Sequence, residues 1–411
     1  MTRALAVRSV LFVGGRRTEA MEAAHRAGMT ISYLGPKSGL SERRRELVAS
    51  ALLVPDMSAD HIVKAAIALH SVQPFDLAMT MNDDFLQAAA RINHELGLLA
   101  NPLEAVTAVT DKAFMRELLR DSEVGQVAAA SVRSAYDLRM LPRTIPLPVI
   151  LKPTRGTASQ SIHVIHDTEQ LDALARELDF SVPAEDTTPP WLAEEFLDGA
   201  EFSVETFSMA GRHHLLAVTE KFKTANFVEI GHLVPARTPA EQQDRIVAEV
   251  ITLLTALGVQ EGPAHTEVML TARGPRIIET HTRPGGDAIV ELVRLASGFD
   301  IQQLTFSWLA GEPVDLTPEP VAGAAAIWFL TVPEGKVTAV GGLAEASAAE
   351  GVVTAVLTAA VGDLVPPLHN SWARQGDVIA IGDDPDTALQ RARQGVGRFT
   401  VEVEPPSAPA F

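Results

Sequence analysis

The 411-residue chain contains no cysteine. This absence excludes disulfide bonds, thiolate catalysis, iron–sulfur clusters and cysteine-ligated zinc. Aromatic residues make up only 5% of the chain, whereas hydrophobic residues reach 46% and charged residues 21%, an ordinary balance for a globular protein. We therefore expect roughly two to four folded domains, each with its own core and none held by covalent cross-links.

The chain also lacks a surplus of positive charge and any long apolar segment. Its formal net charge of −18 argues against nucleic acid or an anionic membrane as a partner, because no basic field is present to hold phosphates in general. No apolar run reaches the ~18 residues of a membrane-spanning helix. Arg3 and Arg8 interrupt the N-terminal apolar run, which predicts a strand rather than a signal peptide. We expect a cytoplasmic protein in which a local cluster binds any phosphate.

The N-terminal part of the chain predicts a small open parallel sheet. Apolar strands alternate with helix-like stretches in a βαβ rhythm, the strands being Ser9–Val13, Ile31–Tyr33, Ala51–Val54 and Leu77–Met81. Gly14-Gly15 lacks the G-x-G-x-x-G spacing of dinucleotide sites, so it predicts a tight turn between strand and helix. Asn82-Asp83-Asp84 ends the last strand, at the sheet edge where α/β proteins place ligands, and is expected to cap the next helix.

The segment Glu261–Asp287, EGPAHTEVMLTARGPRIIETHTRPGGD, carries the clearest chemical signal. Two strand-like runs, His265–Leu270 and Arg276–His281, flank Ala272-Arg273-Gly274 and predict a β-hairpin. A loop centred on Arg273 places Glu267 directly opposite Glu279, with their Cβ atoms about 5 Å apart.

Two opposed carboxylates repel each other unless a cation lies between them, and paired oxygen ligands suit Mg²⁺. His281 points to the same face as Glu279, and Arg283-Pro284-Gly285-Gly286 follows as a loop whose N–H groups can approach an anion. The other interpretation is an exposed hairpin whose glutamates face water.

Two lysines elsewhere add cations. Thr110 is expected to cap a helix running to Asp121, and Lys112 near its start is unfavourable for the helix dipole, which indicates either a partner anion or a solvated side chain. Lys152 is the last residue but one of the strand Val149–Pro153. The strand precedes a loop of Gly, Ser and Thr that is suited to lie over phosphates.

A second informative stretch, WLAEEFLDGAEFSVETF, begins at Trp191 and predicts two strands. The segment Thr224–Pro235, TANFVEIGHLVP, is interpreted as a loop. Beyond about Pro313, short strands with Gly and Pro turns predict a small α+β domain without obvious chemistry.

In this order, the segments resemble the ATP-grasp superfamily, and within it the carboxylate–amine ligases close to the L-amino-acid ligases that make dipeptides. The resemblance covers nearly the whole chain. It rests on Lys112, Lys152 before its loop, EEFLDGAEFS, Glu267, and Glu279 with Arg283.

The resemblance implies an ATP-grasp fold of α/β and α+β character. An N-terminal pre-grasp parallel-sheet domain (1–105) precedes a two-lobed ATP-grasp domain (106–312) with a flexible lid (154–161). A small C-terminal α+β domain (313–404) and a disordered tail (405–411) follow.

The resemblance also implies residue roles. Lys112 and Lys152 contact the phosphates of ATP, and the lid with Gly156 and Ser159 folds over them. The adenine hinge and ribose contacts are Glu194, Glu195, Phe196, Leu197 and Glu201.

Glu267 and Glu279 would hold Mg²⁺, for which Mn²⁺ is a substitute. Arg283, Gly285 and Gly286 face the transferred phosphate and the carboxylate substrate, and the implied catalytic residues are Arg283, Lys152 and Glu279. FVEIGHLVP resembles a substrate loop, which makes Glu229 and His232 candidates for binding an ammonium group. One departure is His281, where the family usually has a metal-ligating Asn.

The reaction implied is an ATP-dependent amide synthesis between amino acids through an acyl phosphate. The Mg-suited carboxylates, the cations and the lid are the parts that phosphoryl transfer requires. No G-x-S-x-G or H-x-x-H pattern supports hydrolase or zinc chemistry. Two alternatives stay open: a ligase or carboxylase of purine or bicarbonate metabolism, and an ATP-binding protein without turnover. The partners expected are small-molecule carboxylates and amines, and a homodimer is left open.

Overall fold

The computed structural model describes residues 6–15, 17–122, 124–156, 161–181 and 190–406. Half of the predicted lid, including Ser159, and the end of the predicted tail lie outside these residues.

The N-terminal unit is a parallel four-stranded sheet of order β3-β2-β1-β4. Its elements are β1 (Ser9–Val13), α1 (Thr18–Arg26), β2 (Thr30–Gly35), α2 (Glu42–Leu47), β3 (Ser50–Leu53), α3 (Ala59–Val72), β4 (Leu77–Met79) and α4 (Asp83–Leu96). The predicted tight turn is confirmed, since Gly14 and Gly15 have φ of +59° and +71° between β1 and α1. Asn82 caps α4 by accepting a hydrogen bond from the Asp84 amide, as expected. Because β1 and β4 are parallel, their carboxyl ends lie at the same edge of the sheet.

The next elements form an antiparallel four-stranded sheet of order β5-β8-β6-β7. They are α5 (Leu103–Thr110), α6 (Lys112–Leu118), β5 (Ala129–Val132), α7 (Ala135–Met140), β6 (Val149–Pro153), β7 (His163–Ile165), α8 (Thr168–Glu177) and β8 (Trp191–Glu195). The prediction that Thr110 caps α6 is wrong. Thr110 ends α5 and bonds back to the Val106 carbonyl, while Asp111 accepts from the Phe114 amide and caps α6. Asp, with its short acceptor side chain, suits this position well.

A long antiparallel sheet of order β13-β12-β9-β10-β11-β14-β18-β16 organises the remainder. Its first part comprises β9 (Ala200–Met209), β10 (Arg212–Lys223), β11 (Glu229–Val234), α9 (Ala240–Ala256), β12 (Gly262–Thr271), β13 (Gly274–His281), α10 (Ile289–Ser297) and α11 (Ile301–Ala310). The interpretation of residues 224–235 as a loop is wrong for β11. This strand is buried on both faces from Gly231 to Val234, so it lacks the alternation that marks a half-exposed strand.

The C-terminal elements are β14 (Ala324–Phe329), β15 (Gly335–Gly341), α12 (Leu343–Ser347), β16 (Val352–Leu357), β17 (Leu364–Val365), β18 (Gly376–Gly382), α13 (Pro385–Val396) and β19 (Thr400–Glu404). Strands β14, β16 and β18 extend the long sheet through the β11–β14 pairing, whereas β17, β15 and β19 form a separate three-stranded sheet. The segment beyond residue 313 is therefore continuous in hydrogen bonding with the strands before it.

The hairpin β12–β13 has the predicted pairing of Glu267 with Glu279. The connection is shorter than expected, because Thr271 already pairs with Gly274 across Ala272-Arg273. A register shift between Glu267 and Val268 restores the predicted pairing. A β-bulge of this kind adds one residue to one strand and re-aims the side chains beyond it.

Candidate active site

Two neighbouring cavities contain most of the residues singled out by sequence. The inter-sheet cleft, about 150 Å³, lies between the antiparallel four-stranded sheet and the long sheet. The predicted site residues lining it are Lys152, Glu194, Glu195, Phe196, Leu197, Glu201, Glu229, Glu267 and Glu279.

The charged cavity, about 300 Å³, lies beside the cleft. Among its lining residues are Arg17, Lys221, His265, His281, Arg283, Gly286, Asp287, Trp372 and Arg374. Glu229, Glu267 and Glu279 line both cavities, so these carboxylates form the wall between them.

The paired glutamates do not face open water. Their side chains are only 18% and 20% exposed, and each contacts a lysine. Glu267 accepts from Lys221 Nζ at 2.5 Å, and Glu279 lies 2.8 Å from Lys112 Nζ. The interpretation of Lys112 as a solvated side chain is therefore wrong, and its partner is the Glu279 carboxylate.

The pKa values of both glutamates lie well below the usual range. Burial alone would raise the pKa of Glu267, but attraction to Lys221 and a hydrogen bond from His265 outweigh burial and the repulsion from Glu279. Burial alone would also raise the pKa of Glu279. Attraction to Lys112 and His281 outweighs burial, so the pKa of Glu279 is low as well. Both groups are therefore carboxylates at neutral pH.

Two histidines lie beside this pair of glutamates. Glu205 accepts a hydrogen bond from His265 Nδ1 at 2.7 Å. Burial alone would lower the pKa of His265, but the Glu205 carboxylate raises it to about 9 overall. His281 Nε2 lies 3.1 Å from Glu279 Oε1, and its Nδ1 lies 3.1 Å from Asp83 Oδ1. His281 thus contacts a glutamate of the pair directly, on the face that the sequence predicted.

Lys221 holds the centre of the acidic wall. Its ammonium contacts Glu229, Glu267 and, at 3.3 Å, Glu201. Burial opposes the charge, yet Glu229 and the other carboxylates raise the pKa of Lys221 well above its usual value. Lys223 bonds the second oxygen of Glu201 at 2.5 Å. Sequence reasoning assigned no role to either lysine.

A second buried cluster lies at the other end of the cleft. Glu194 accepts from Arg116 Nε and Lys152 Nζ, both at 2.6 Å, with all three side chains below a tenth exposed. Burial raises the pKa of Glu194, but these two cations lower it overall to about 2. The pKa of Lys152 is lowered, first by burial and then by Arg116 and Lys112, although Glu194 raises it. One carboxylate thus balances two cations, and an added anion would stabilise Lys152 in its charged form.

The predicted hinge residues follow this cluster at the end of β8. Phe196 lines the cleft, and its amide donates to the Pro148 carbonyl at 3.2 Å. Glu195 also lines the cleft, and its carboxylate pairs with Arg273 and accepts a hydrogen bond from the Ala128 amide. The Glu195 carboxylate therefore already has partners within the protein.

Arg283 is held by a residue of the N-terminal unit. Asp83 accepts from both Nε, at 2.5 Å, and Nη2 of Arg283. Burial raises the pKa of Asp83, but hydrogen bonds from His281 and Arg283 lower it strongly overall. Gly285 packs near His265, where an added Cβ would lie 3.0 Å from Nδ1, whereas a Cβ on Gly286 would meet open space.

Glu229 and His232 differ in their access to the charged cavity. Glu229 lines it, whereas His232 is fully buried behind Asp287, with Nε2 3.5 Å from Asp287 Oδ2. Arg374 binds Asp287 through both terminal nitrogens at 2.7 Å. Glu229 and Asp287 are therefore open to the charged cavity, while His232 contacts Asp287 from the buried side.

The described residues include only the two ends of the predicted lid, 154–156 and 161. Gly156 accepts from Lys112 Nζ at 3.1 Å, which links the lid base to the glutamate wall. Ser159 lies outside the described residues.

Several residues were missed by sequence reasoning, namely Asp83, Asp287, Arg374, Lys221, Lys223 and Arg17. Asp83 was predicted to lie at a sheet edge that suits ligands and to help cap a helix, but no partner at the site was predicted for it. Asp287 directly follows Gly285-Gly286. Arg374 has no local signal, because only the continuity of the long sheet brings residues beyond 313 to the cavity.

The donor set fits Mg²⁺ and a nucleotide. Glu267 and Glu279 offer ionised oxygen ligands at one point, the type that Mg²⁺ prefers. Apolar Phe196, Met269 and Ile278 line the cleft beside Glu201, and the surplus cation at Lys152 suits a phosphate chain.

Within the described part of the chain, no helix is long and apolar enough to cross a membrane.

Comparison with known families agrees with this geometry. Residues 145–291 match the ATP-grasp domain, and residues 328–404 match the L-amino acid ligase C-terminal domain 2. The first match spans Lys152, both glutamates and Arg283, and the second spans Arg374.

Relatives and solved structures point the same way. An uncharacterised protein of Sinorhizobium fredii is 26% identical over 330 residues, covering 78% of this chain and 68% of that protein. The alanine–anticapsin ligase of Bacillus subtilis is 27% identical over 277 residues, covering 62% of this chain and 59% of the ligase, so the match spans less than two thirds of that relative. The crystal structure of the L-amino acid ligase from Bacillus licheniformis superposes with a TM-score of 0.81 at 21% identity, covering 98% of this chain and 100% of that one. This last likeness establishes the shared fold.

Proposed function

We propose that the chain joins the carboxylate of one amino acid to the amine of a second, because residues 145–291 match the ATP-grasp domain and residues 328–404 match the L-amino acid ligase C-terminal domain 2. ATP is the phosphoryl donor and is released as ADP and phosphate. The amide product is a dipeptide.

One observation carries this proposal. Glu267 and Glu279 form a wall between the inter-sheet cleft and the charged cavity, with lysines on both carboxylates. A nucleotide in the cleft would present its terminal phosphate at this wall, and an amino acid in the cavity would present its carboxylate on the other side.

The first chemical step moves the γ-phosphoryl group of ATP to a carboxylate oxygen of the first amino acid. The P–O bond to ADP breaks and a P–O bond to the carboxylate forms. Mg²⁺, held by Glu267 and Glu279, would neutralise phosphate charge there. Lys112 and Lys152 bind phosphate oxygens, and Arg283 stabilises the charge that develops on the transferred group.

In the second step, the amine nitrogen of the second amino acid attacks the acyl carbon. A C–N bond forms, the C–O bond to phosphate breaks, and the departing phosphate takes the proton that the amine nitrogen loses. The chain's contribution is orientation: Glu229 and Asp287 bind the ammonium of the first amino acid, and Arg374 and His232 fix Asp287 in place. The lid is proposed to exclude water from the acyl phosphate.

The match to the L-amino acid ligase C-terminal domain favours amino acids over the purine or bicarbonate substrates that other ATP-grasp enzymes use. The proposed partners are small molecules only, because a net charge of −18 disfavours nucleic acid. A cytoplasmic location and a homodimer stay predictions from the sequence.

The test is ADP and phosphate release from Mg·ATP against a matrix of amino-acid pairs, with mass detection of products. We expect release that requires two amino acids, and a product whose mass equals their sum less water. Reactions lacking ATP, or one amino acid of the pair, are the controls. ATP binding without release across the whole matrix would contradict the proposed ligation.

A further inference from the structure

Arg17 is the N-terminal unit's contribution to the charged cavity. It follows the Gly14-Gly15 turn at the carboxyl end of β1 and is the N-cap residue of α1. An added Cβ on Gly14 would lie 2.4 Å from the Phe85 ring, so the turn is held tightly against α4. This packing fixes the position from which the Arg17 side chain enters the cavity.

The other cations lining this cavity each have a carboxylate partner. Arg283 binds Asp83, Arg374 binds Asp287, and Lys221 binds Glu229 and Glu267. Arg17 donates only long hydrogen bonds, of 3.4 and 3.5 Å, to the Gly285 carbonyl. Among the described residues, no carboxylate lies within ion-pairing distance of its guanidinium.

The surroundings of Arg17 disfavour a cation without a partner. Burial and then repulsion from Arg283 lower the pKa of Arg17, and attraction to the more distant carboxylates of Asp83, Glu19 and Asp287 offsets this lowering only in part. A guanidinium nevertheless stays protonated at neutral pH. A desolvated guanidinium without a counterion is unfavourable, and an incoming anion would remove that cost.

The proposed reaction defines what that anion can be. Ligation of two amino acids consumes one carboxylate and one amine, and it leaves the carboxylate of the second amino acid free. The carboxylates of Glu229 and Asp287 suit the free ammonium of the first amino acid. The free carboxylate of the second amino acid needs a cation elsewhere in the same cavity.

We propose that Arg17 binds the free α-carboxylate of the second, acceptor amino acid, an inference that rests on the proposed function. The guanidinium fork matches a carboxylate through two parallel hydrogen bonds. Gly286 lines the same cavity with open space above its Cα, so the acceptor can approach the loop closely. Arg17 thereby selects acceptors that carry a carboxylate.

The experiment compares each accepted amino acid with its own α-amide, for example L-alanine with L-alaninamide, in the wild-type protein and in Arg17→Gln. We expect the wild type to prefer the carboxylate form. In Arg17→Gln, KM for the carboxylate acceptor should rise about 10- to 100-fold, as for loss of a charged hydrogen bond. KM for the amide, for ATP and for the first amino acid should change little.

The ratio of KM for the amide to KM for the carboxylate is compared between the wild type and Arg17→Gln. This comparison isolates the carboxylate contact, because the different basicity of the two amines affects both proteins equally. Arg17→Lys keeps the charge and should retain part of the preference. Arg26→Gln is the matched control, since Arg26 lies on the same helix and contacts Gln303 outside the cavity.

The outcomes separate the two proposals. If the wild type forms no dipeptide, the proposed function fails and this inference fails with it. If the wild type forms dipeptides but Arg17→Gln raises KM equally for acid and amide, Arg17 is a structural link to Gly285 and the inference alone is overturned. A rise in KM for ATP or for the first amino acid would also overturn it.

Discussion

Glu267 and Glu279 are held by lysines at the wall between the two cavities. Each carboxylate is largely buried, and Lys221 and Lys112 supply the opposite charge. In the proposed complex, Mg²⁺ and phosphates would take over part of this neutralisation. The lysines therefore keep two like charges together before the nucleotide arrives.

At the residue scale, Glu279→Gln should reduce ADP release by about 100-fold or more, because the amide is a neutral and weaker ligand for a hard cation. The side chain keeps its size, so the fold should persist. The measurements are steady-state ADP release across a Mg²⁺ titration and a far-UV circular dichroism spectrum.

Glu345→Gln is a suitable control, since Glu345 is exposed on α12 and far along the chain from the wall. Near-normal turnover in Glu279→Gln would reject the metal-ligand role. A loss that is equal in both variants would point to handling of the protein rather than to chemistry.

At the scale of elements, Glu194 joins a helix to the strands of the small antiparallel sheet. It lies on β8 and binds Arg116 of α6 and Lys152 of β6. Arg116 also donates to the Ile277 carbonyl of β13 at 2.8 Å. A single buried carboxylate therefore holds together elements that flank the inter-sheet cleft.

Glu194→Gln should destabilise the protein by about 3 to 5 kcal/mol at pH 7, because two buried cations lose their counterion. The lowering of the Glu194 pKa from 4.5 to about 2 corresponds to about 3 kcal/mol. Since the folded-state pKa is the lower one, this contribution is complete above about pH 5 and is lost as the pH falls toward about 2.

Urea denaturation between about pH 7 and pH 3 measures the difference in the free energy of unfolding between the wild type and Glu194→Gln. This difference should narrow as the pH falls. Glu177→Gln, at an exposed position on α8, should show neither the loss of stability nor the pH dependence. A stability difference that stays constant with pH would contradict the ionised Glu194.

At the scale of the whole molecule, the cavities gather residues from distant parts of the chain. Arg17 and Asp83, which binds Arg283, come from the N-terminal unit, the glutamates from the β12–β13 hairpin, and Arg374 from beyond β17. The long sheet makes this possible, since β14 pairs with β11 and carries the C-terminal strands to the cavity.

Mg·ATP should raise the unfolding midpoint of the wild type, because a ligand that binds only the folded state stabilises it. At a hundredfold excess over Kd, the gain is about 2.7 kcal/mol. Thermal unfolding with and without Mg·ATP measures the shift, and addition of EDTA should reverse most of it. No shift at saturating Mg·ATP would contradict nucleotide binding in the cleft.

Local patterns predicted much of this arrangement. The spacing around Arg273 predicted the Glu267–Glu279 pairing, although a shorter turn and a bulge produce it. The bounds of β1 and β6 were predicted as observed. β11 was missed because a strand covered on both faces has no alternation to detect. The roles proposed for individual residues, the lid with Ser159 and the domain boundaries stay predictions.

Sequence alone was sufficient for many local strands and turns and for the opposed glutamates, because backbone periodicity, turn residues and short spacings act over a few residues. The ATP-grasp fold was implied by the resemblance of the ordered segments to that superfamily. The tertiary structure decided which charges neutralise which. Lys221 lies between three glutamates, Asp83 binds Arg283 across 200 positions, and Arg17 forms no ion pair with a carboxylate among the described residues. Such pairings depend on distances of a few ångströms between remote segments, and burial strengthens them by removing water. No local pattern in the chain records those distances.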